Sequence, residues 1–305
     1  ERRKPQPDGK PGFIRIDTVH QGDLDKRKDV YHINAVDEVT QFEAVCTVEK
    51  ISEHYLIAAL QQLLETFPFT VLGFHSGNGS EYINKRAVNL LEKLRIEFTK
   101  SRSRQSNDNA LVESKNGAVV LKYFGYVHIP QRWAPLINTF NRQHVNPYLN
   151  FHRPCFFSQT LLDINGKQRK TYGYEHRQTP YDKLKSLPQA KDYLKPGVSF
   201  EILDKLAHRI SDNQAADELQ KARRKLFNTI HGQTLKTAWQ YLQNTALQTH
   251  LWIGIYLTAD ALKNSFHKLV KEAADVQFSQ RCHPRRTSTV SNTSRPAENE
   301  PTRPV

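Results

Sequence analysis

The chain has no methionine and only three cysteines in 305 residues. Cys46, Cys155 and Cys282 stand far apart without Cys-x-x-Cys spacing, which excludes a disulfide framework or a zinc ribbon and suits a reducing compartment. Long apolar runs are missing too. The longest, around Leu251 to Leu257, falls well short of the roughly 20 residues a membrane-spanning helix needs, so no transmembrane segment is expected. The opening Glu1-Arg2-Arg3-Lys4 shows none of the apolar patterning of a secretory signal. A start at Glu1 without a methionine raises the expectation of missing upstream sequence, either cut away or lost from a decaying reading frame. Acid is also in deficit: 31 Asp and Glu face 44 Lys and Arg, a formal net charge of +13. That excess favours a polyanionic partner, nucleic acid before acidic membrane.

Residues 1–12 are basic and carry Pro5, Pro7 and Pro11, an extended lead-in. Three short β-type runs follow, Phe13 to Val19, Val30 to Val36 and Phe42 to Val48, separated by polar turns. From Ile51 the period changes. Leu56, Ala59, Leu60, Leu63, Leu64 and Phe67 recur at helical spacing before Pro68. Phe69 to Phe74 reads as a buried strand, and the glycines after it permit a sharp turn. Ala87, Leu90, Leu91 and Leu94 predict a second helix with Asn84 as N-cap, and Ile96 to Phe98 a fifth strand. Ser101 to Ser106 is polar, basic and aperiodic, a loop. A third helix opens near Asn107 to Asn109, with Ala110, Glu113 and Gly117 along one face. Periodicity alone supports a mixed α/β domain.

Three segments stand out within that frame: Asp17 closing an apolar run, Phe74-His75-Ser76-Gly77-Asn78-Gly79-Ser80-Glu81, and Asn107-Asp108-Asn109-Ala110-Leu111-Val112-Glu113-Ser114. Thirty-five residues separate Gly77 from Glu113. In order, contexts and interval, the chain resembles the catalytic cores of bacterial insertion-sequence transposases, of the retroviral-integrase-like kind. Their Asp, Asp, Glu triad spaces the last two acids by 35 residues. All three contexts in order make a chance match improbable. The resemblance implies a ribonuclease-H-like fold over 13–150, a mixed five-stranded sheet flanked by helices. A looser likeness to the closing helix of such cores lies at Asn138 to Asn150, with Arg142, His144 and Tyr148. Beyond it we expect a mainly helical region over 151–232, with a Thr179 cap, Pro180 at the first helical position, and a helix carrying Leu219, Ala222, Leu226 and Ile230. Residues 233–282 stay unassigned, and the Pro, Ser, Thr and Arg-rich stretch 283–305 reads as a disordered tail.

The resemblance further implies DNA transposition or integration by metal-dependent strand cleavage and strand transfer. Paired Mg²⁺ or Mn²⁺ ions would be held by carboxylates, since hard oxygen ligands suit them. Asp17 and Glu113 would be the catalytic and metal-binding acids. Gly77 stands where the second Asp is expected and offers no side-chain oxygen, so weak metal occupancy and impaired catalysis follow. Glu81, four residues on, and Asn78, next to Gly77, are candidate stand-ins, but Glu81 already belongs to the motif, which argues against rescue. The implied partners are double-stranded DNA, both element ends and target, and further copies of the chain as a homo-oligomer on DNA. The implied location is a bacterial cytoplasm, at the nucleoid.

Ordinary readings weigh against each residue. A lone Asp ending a strand is most often a solvated edge residue, and a helix Glu a solvated carboxylate; agreement among three contexts reverses both. Asp23, Asp37 and Asp108 read as solvated or capping groups, and His20, His75 and His152 as structural, since none has a partner at ligand spacing. Arg102, Arg104, Lys115 and Lys122 are candidate DNA-phosphate contacts, with Arg104 and Lys115 foremost, against the ordinary reading of a solvated basic face. Lys221 to Lys225 reads equally as a second DNA contact or a charged helix face. Two functions stay open: an impaired transposase, and an inactive DNA-binding remnant or regulator of active transposases. A ribonuclease of the same fold fits the 35-residue interval less well.

Overall fold

The computed structural model describes residues 2–20, 22–77, 91–92, 95–162 and 167–249. Asn78, Glu81, most of the helix expected around Ala87 to Leu94, and everything from 250 onward lie outside the described residues. Residues 1–238 make one compact unit; the second, 239–305, is described only over the end of a long helix, Asp212–Thr249.

Strands β1 (Phe13–His20), β2 (Tyr31–Asp37) and β3 (Glu43–Val48) form the expected antiparallel meander. β4 (Gly73–Ser76) returns parallel to β1, and β5 (Glu97–Lys100) lies parallel to β4. The order β3-β2-β1-β4-β5 is the ribonuclease-H-like arrangement. Strand alternation sorts the side chains onto two layers. Ile14, Ile16, Ile33, Ala35, Ala44 and Cys46 pack under helix Glu53–Thr66 with Tyr181, Leu184, Phe200 and Leu203. Val45, on the opposite face, packs with Val119, Val120, Phe124, Ile137, Val145, Leu149, Leu219, Leu226 and Ile230. Residues from the 151–232 region therefore fill both layers.

Gly12 sets the approach of β1 to β4. Its φ of +111° suits glycine, and a Cβ there would come within 2.5 Å of Thr70 O. Its carbonyl accepts from Leu72 N and Gly73 N, which starts the parallel pairing. Here the expected strand Phe69 to Phe74 is corrected. Phe69 and Val71 are buried, but Thr70 N donates to Tyr193 O and Lys195 N donates to Pro68 O. The run is apolar because it is enclosed, while its backbone pairs with the 193–195 segment; the sheet strand begins only at Gly73.

The edge strand β3 is sealed by asparagines. Asn138, Asn146 and Asn150 project from a helical segment spanning 131–152, which turns π-helical at Asn141–Val145 and Tyr148–His152. Each uses its primary amide as a peptide does, pairing with one β3 residue in both directions. Thr47 N donates to Asn138 Oδ1 (2.7 Å) and Asn138 Nδ2 donates to Thr47 O (2.6 Å). The same exchange joins Asn146 to Val45 (2.9 and 3.3 Å) and Asn150 to Glu43 (2.7 and 2.8 Å). The partners alternate along the strand because every second residue of an edge turns its peptide groups outward. Four helical residues rise about 6 Å and two strand residues about 6.7 Å, so Asn146 and Asn150 match Val45 and Glu43. Six backbone groups that would otherwise leave an open edge are satisfied, blocking edge-to-edge pairing.

Gly117 has no close neighbour: among the described residues nothing lies within 4 Å of a Cβ built there. It sits in the π-helical turn Asn116–Leu121, exposed, and Ala110 is exposed as well. Asp37 is a capping group but not a solvated one. Fully buried, it accepts from Gly12 N, Thr40 N and Thr40 Oγ1, each at 2.7 Å, while burial pushes its carboxyl up to about 6. Thr179 caps helix Pro180–Lys185 as expected, its hydroxyl accepting from Asp182 N.

Two measurements follow from this packing. Asn150→Leu keeps the branched shape but orphans Glu43 N and Glu43 O; at about 1–3 kcal/mol per buried unsatisfied group, urea denaturation should report a loss of about 2–6 kcal/mol. A loss under 0.5 kcal/mol would mean the edge is not sealed this way. Separately, His32 is buried against Phe124, and burial pushes its imidazole down to about 3. Its folded pKa is depressed, so its contribution is fully present above the unfolded value near 6.5 and fades as pH falls toward 3. Between pH 7 and 4.5 the native chain should lose about 2–3 kcal/mol more than His32→Gln does. Parallel pH profiles for the two proteins would refute this.

Candidate functional site

Alternation along β1 puts Ile14 and Ile16 on one face and Arg15 and Asp17 on the other, the face crossed by the 110–124 helix. That helix is α-helical at Ala110–Lys115, π-helical at Asn116–Leu121 and α-helical again at Lys122–Phe124. Asn116 Nδ2 donates to Asp17 Oδ2 at 2.8 Å, and Asn34 Nδ2, from the β2 residue paired with Asp17, donates to Asn116 Oδ1 at 3.2 Å. The chain Asn34, Asn116, Asp17 thus orients one carboxylate across two strands and a helix. Burial raises the Asp17 carboxyl above its ordinary range, and the Thr18 backbone and Asn116 partly counter it.

Gly77 is where the register requires a partner for Asp17. Ile16 pairs with Ser76 in the parallel β1–β4 ladder, so the next residue of each strand lies alongside, at the carboxyl ends. Neighbouring strands are about 4.8 Å apart. Among the described residues, and setting aside its chain neighbours, the heavy atom within 4 Å of a Cβ built on Gly77 is Asn109 Nδ2 at 3.6 Å, an ordinary contact. Its φ is not in the left-handed region, so the expected sharp glycine turn is not at this residue. A larger residue would fit the backbone at 77. Asn109, expected as a helix cap, makes no capping bond; its Nδ2 reaches Ile16 O at 3.4 Å and its Oδ1 is buried without a partner.

Glu113 projects from the first turns of the same helix at an exposed position. Partial burial raises its carboxyl, and the charge of Asp17 raises it further. The two acids therefore feel each other, although 95 residues separate them in the chain. Two carboxylates brought together against their own repulsion make a donor set that suits a hard divalent cation. Nothing at position 77 adds to it. Among the described residues no group of three His, Cys, Asp or Glu side chains could hold a metal.

The basic candidates separate. Arg104 and Lys122 are exposed. Arg102, half exposed, grips buried Asp108 through Nε and Nη2 at 3.0 and 2.9 Å, which holds the Asp108 carboxyl well below the usual range. Asp108 is thus an ion-pair partner and not a solvated group. Lys115 departs most from expectation. Its side chain is 10% exposed, 3.6 Å from the buried Glu43 carboxylate, and its ammonium donates to Cys155 Sγ at 3.2 Å. Helical spacing turns it inward beside Asn116, where it neutralises an acid under the sheet, so its charge faces the core instead of DNA. Arg223, in the basic run 221–225, donates to Tyr123 O at 2.6 Å. His75 is structural as anticipated, bonded to Thr99 and Ser101 and pushed down to about 4 by burial. His152 contacts Asp212, and His20 stacks on Tyr31. Asn34, Asn109 and Asn116 were missed from sequence. Asn116 had a signal, since it lies three residues past Glu113 on one helical face.

No family model matches the chain. An uncharacterized protein, y4rM of Sinorhizobium fredii (strain NBRC 101917 / NGR234), is 34% identical over 163 residues, covering 53% of this chain and 47% of that protein. The chain spans about half the length of this curated relative. Among solved structures, the catalytic core domain of BIV integrase is 19% identical, covering 56% of this chain and 91% of that one at a TM-score of 0.35. The HTLV-2 integrase catalytic core domain in complex with magnesium, in its trimeric form, is 17% identical, covering 51% and 91% at a TM-score of 0.34. Likeness at this level says nothing about chemistry. No helix among the described residues is long and apolar enough to cross a membrane.

The coupling of the two acids can be read by carboxyl-carbon NMR titration. Asp17→Asn removes a like charge, so the Glu113 pKa should fall toward its ordinary value. Asn116→Ala removes a bond to the charged form, so the Asp17 pKa should rise further. An unmoved Glu113 titration in Asp17→Asn would mean the acids do not share a site.

Proposed function

We propose that this chain is a DNA transposase or integrase core, built for metal-dependent strand cleavage and strand transfer, whose chemistry is impaired by Gly77. One observation supports the reading: the charge of Asp17 reaches Glu113, 96 positions away in sequence, and raises its carboxyl, while Gly77 follows the β4 residue paired with Ile16. The 35-residue interval between Gly77 and Glu113 supports it. In strand transfer a hydroxyl oxygen attacks phosphorus in line, the phosphorus to leaving-oxygen bond breaks, and negative charge spreads over the phosphoryl oxygens.

Asp17 and Glu113 would hold the Mg²⁺ or Mn²⁺, which when bound would withdraw charge from a phosphoryl oxygen. This chain's own contribution is orientation. Asn116 fixes the Asp17 carboxylate, which is itself fixed by Asn34, and the helix presents Glu113 at the surface where a DNA backbone can approach. Arg104 and Lys122 are the proposed phosphate contacts, joined by Arg102 through its exposed flank. The proposed partners are double-stranded DNA and further copies of the chain, and the proposed setting is a bacterial nucleoid. The domain reading, with the catalytic core over 13–150, stands within this proposal.

Gly77 itself favours the second reading, a DNA-binding remnant or regulator that occupies DNA without cutting it. Strand-transfer assays in Mg²⁺ and in Mn²⁺, on the native chain and Gly77→Asp, separate the two. Among the described residues the added Cβ meets Asn109 Nδ2 at 3.6 Å, and by register the new side chain stands next to Asp17. Restoring one metal ligand is worth about 3–4 kcal/mol of transition-state stabilisation, so the variant should gain about two to three orders of magnitude. If neither protein cuts while both bind DNA, the enzyme reading fails and the regulator stands.

A further inference from the structure

Beside the start of the 110–124 helix, along Ala110, Leu111, Ser114 and Lys115, lies a cleft of about 570 Å³, within the size range of ligand clefts. Its wall carries Lys4, Arg15, Lys115, Lys170 and Lys183 against Glu38 and Asp108. Arg15 is spent on those acids' surroundings, its Nη2 on Glu38 and its Nη1 on Asp108 O, and Lys115 is spent on Glu43. Both acids are thus matched already, Asp108 by Arg102, so the remaining lysines give the cleft a positive balance.

Aromatic rings open along the same wall. Phe156 and Tyr172 line the cleft, 43% and 61% exposed, and Tyr174, 76% exposed, meets Phe156 edge-on at 5.5 Å. Arg177 spans both, its guanidinium 5.8 Å from the Phe156 ring and 5.3 Å from that of Tyr174. Large exposed rings cost solubility and gain nothing for the core, so their clustering calls for a partner. The platform is anchored to the fold. Gln41 Nε2 donates to Phe156 O at 2.8 Å, Phe156 pairs with Arg177 across a two-stranded ladder, and Lys183 lies over the Phe157 ring.

We propose that this cleft and platform bind an unpaired nucleic-acid strand, with Tyr172 and Tyr174 stacking on bases while Lys170 and Lys183 meet the backbone. Cations without aromatics would suit any duplex, since a duplex buries its base faces. Exposed rings between cations suit a strand whose bases are free to stack. An acidic peptide would use the charge but leave the rings uncovered. Because the cleft shares a helix with Glu113, it would keep a single strand beside the acids. The proposal shares with the proposed function only the premise that the chain meets nucleic acid.

Fluorescence anisotropy with a labelled unpaired 12-mer oligodeoxynucleotide, read over a salt series, tests it. Tyr172→Ala with Tyr174→Ala should weaken binding about tenfold or more, and Phe at both positions should preserve it. Lys170→Ala should reduce the slope of log affinity against log salt by about 0.7, one phosphate contact fewer. Asp17→Asn with Glu113→Gln should leave strand binding intact while abolishing terbium luminescence, so loss of the metal site and loss of the platform are told apart. Unchanged affinity in the Ala pair overturns the proposal. So does equal competition by a blunt duplex of the same sequence, or by poly-glutamate.

Discussion

The asparagine clasp along β3 is the constraint on which the remainder of the structure rests. A five-stranded sheet needs both faces covered and its long edge closed, and here one helical segment does two of these jobs. Its apolar side chains, Ile137, Val145 and Leu149, join the buried layer, while Asn138, Asn146 and Asn150 close the edge. The amide of asparagine copies a peptide group, so the segment pairs with the strand without being one. Val119, Val120 and Phe124 pack within the same layer, so the position of the 110–124 helix depends on that closure. The register of Asn116 on Asp17 is therefore set partly by contacts at the far edge of the sheet.

Beneath that helix the sheet carries polar groups where an ordinary core would be apolar. Asp17, Asn34 and Glu43 belong to three successive strands, and Asn116 and Lys115, adjacent in the helix, answer them. Among the described residues, Asn34 Oδ1 and Asn109 Oδ1 are buried without hydrogen-bond partners. Each such group costs free energy, and several around one carboxylate mark a place where stability has been set against chemistry. Lys115 and Glu43 illustrate the opposite case. They neutralise each other inside the same layer, so a residue that looks like a DNA contact in sequence serves the packing of the helix instead.

Much of this was legible in sequence because it rests on short-range periodicity. The meander, the first helix and the change of period at Ile51 needed only alternation and helical spacing. The strand expected from Phe69 failed for a reason periodicity cannot register: burial is visible in composition, but the partner of a backbone group is not. The clasp was visible only as an asparagine-rich run, since its meaning depends on which strand lies opposite. Lys115 and Asn116 were ambiguous in the same way. With about 3.6 residues per turn, adjacent helical residues point about 100° apart, so one side chain points to the core and the next to the site. No count of charges distinguishes them.

Gly77 shows how cleanly fold and chemistry separate at this site. Its φ lies outside the left-handed region, a side chain there would clash with none of the described residues, and the β1–β4 ladder that leads to it needs neither an acid nor a glycine. Nothing in the packing requires the residue that is present. A carboxylate at this position would put a like charge beside Asp17, so the fold gains nothing from having one there. Asn116, by contrast, links both strands to the helix and is held from two sides. On the proposed reading a ligand position can therefore change with the architecture intact, whereas the residue that orients Asp17 is held by the packing itself.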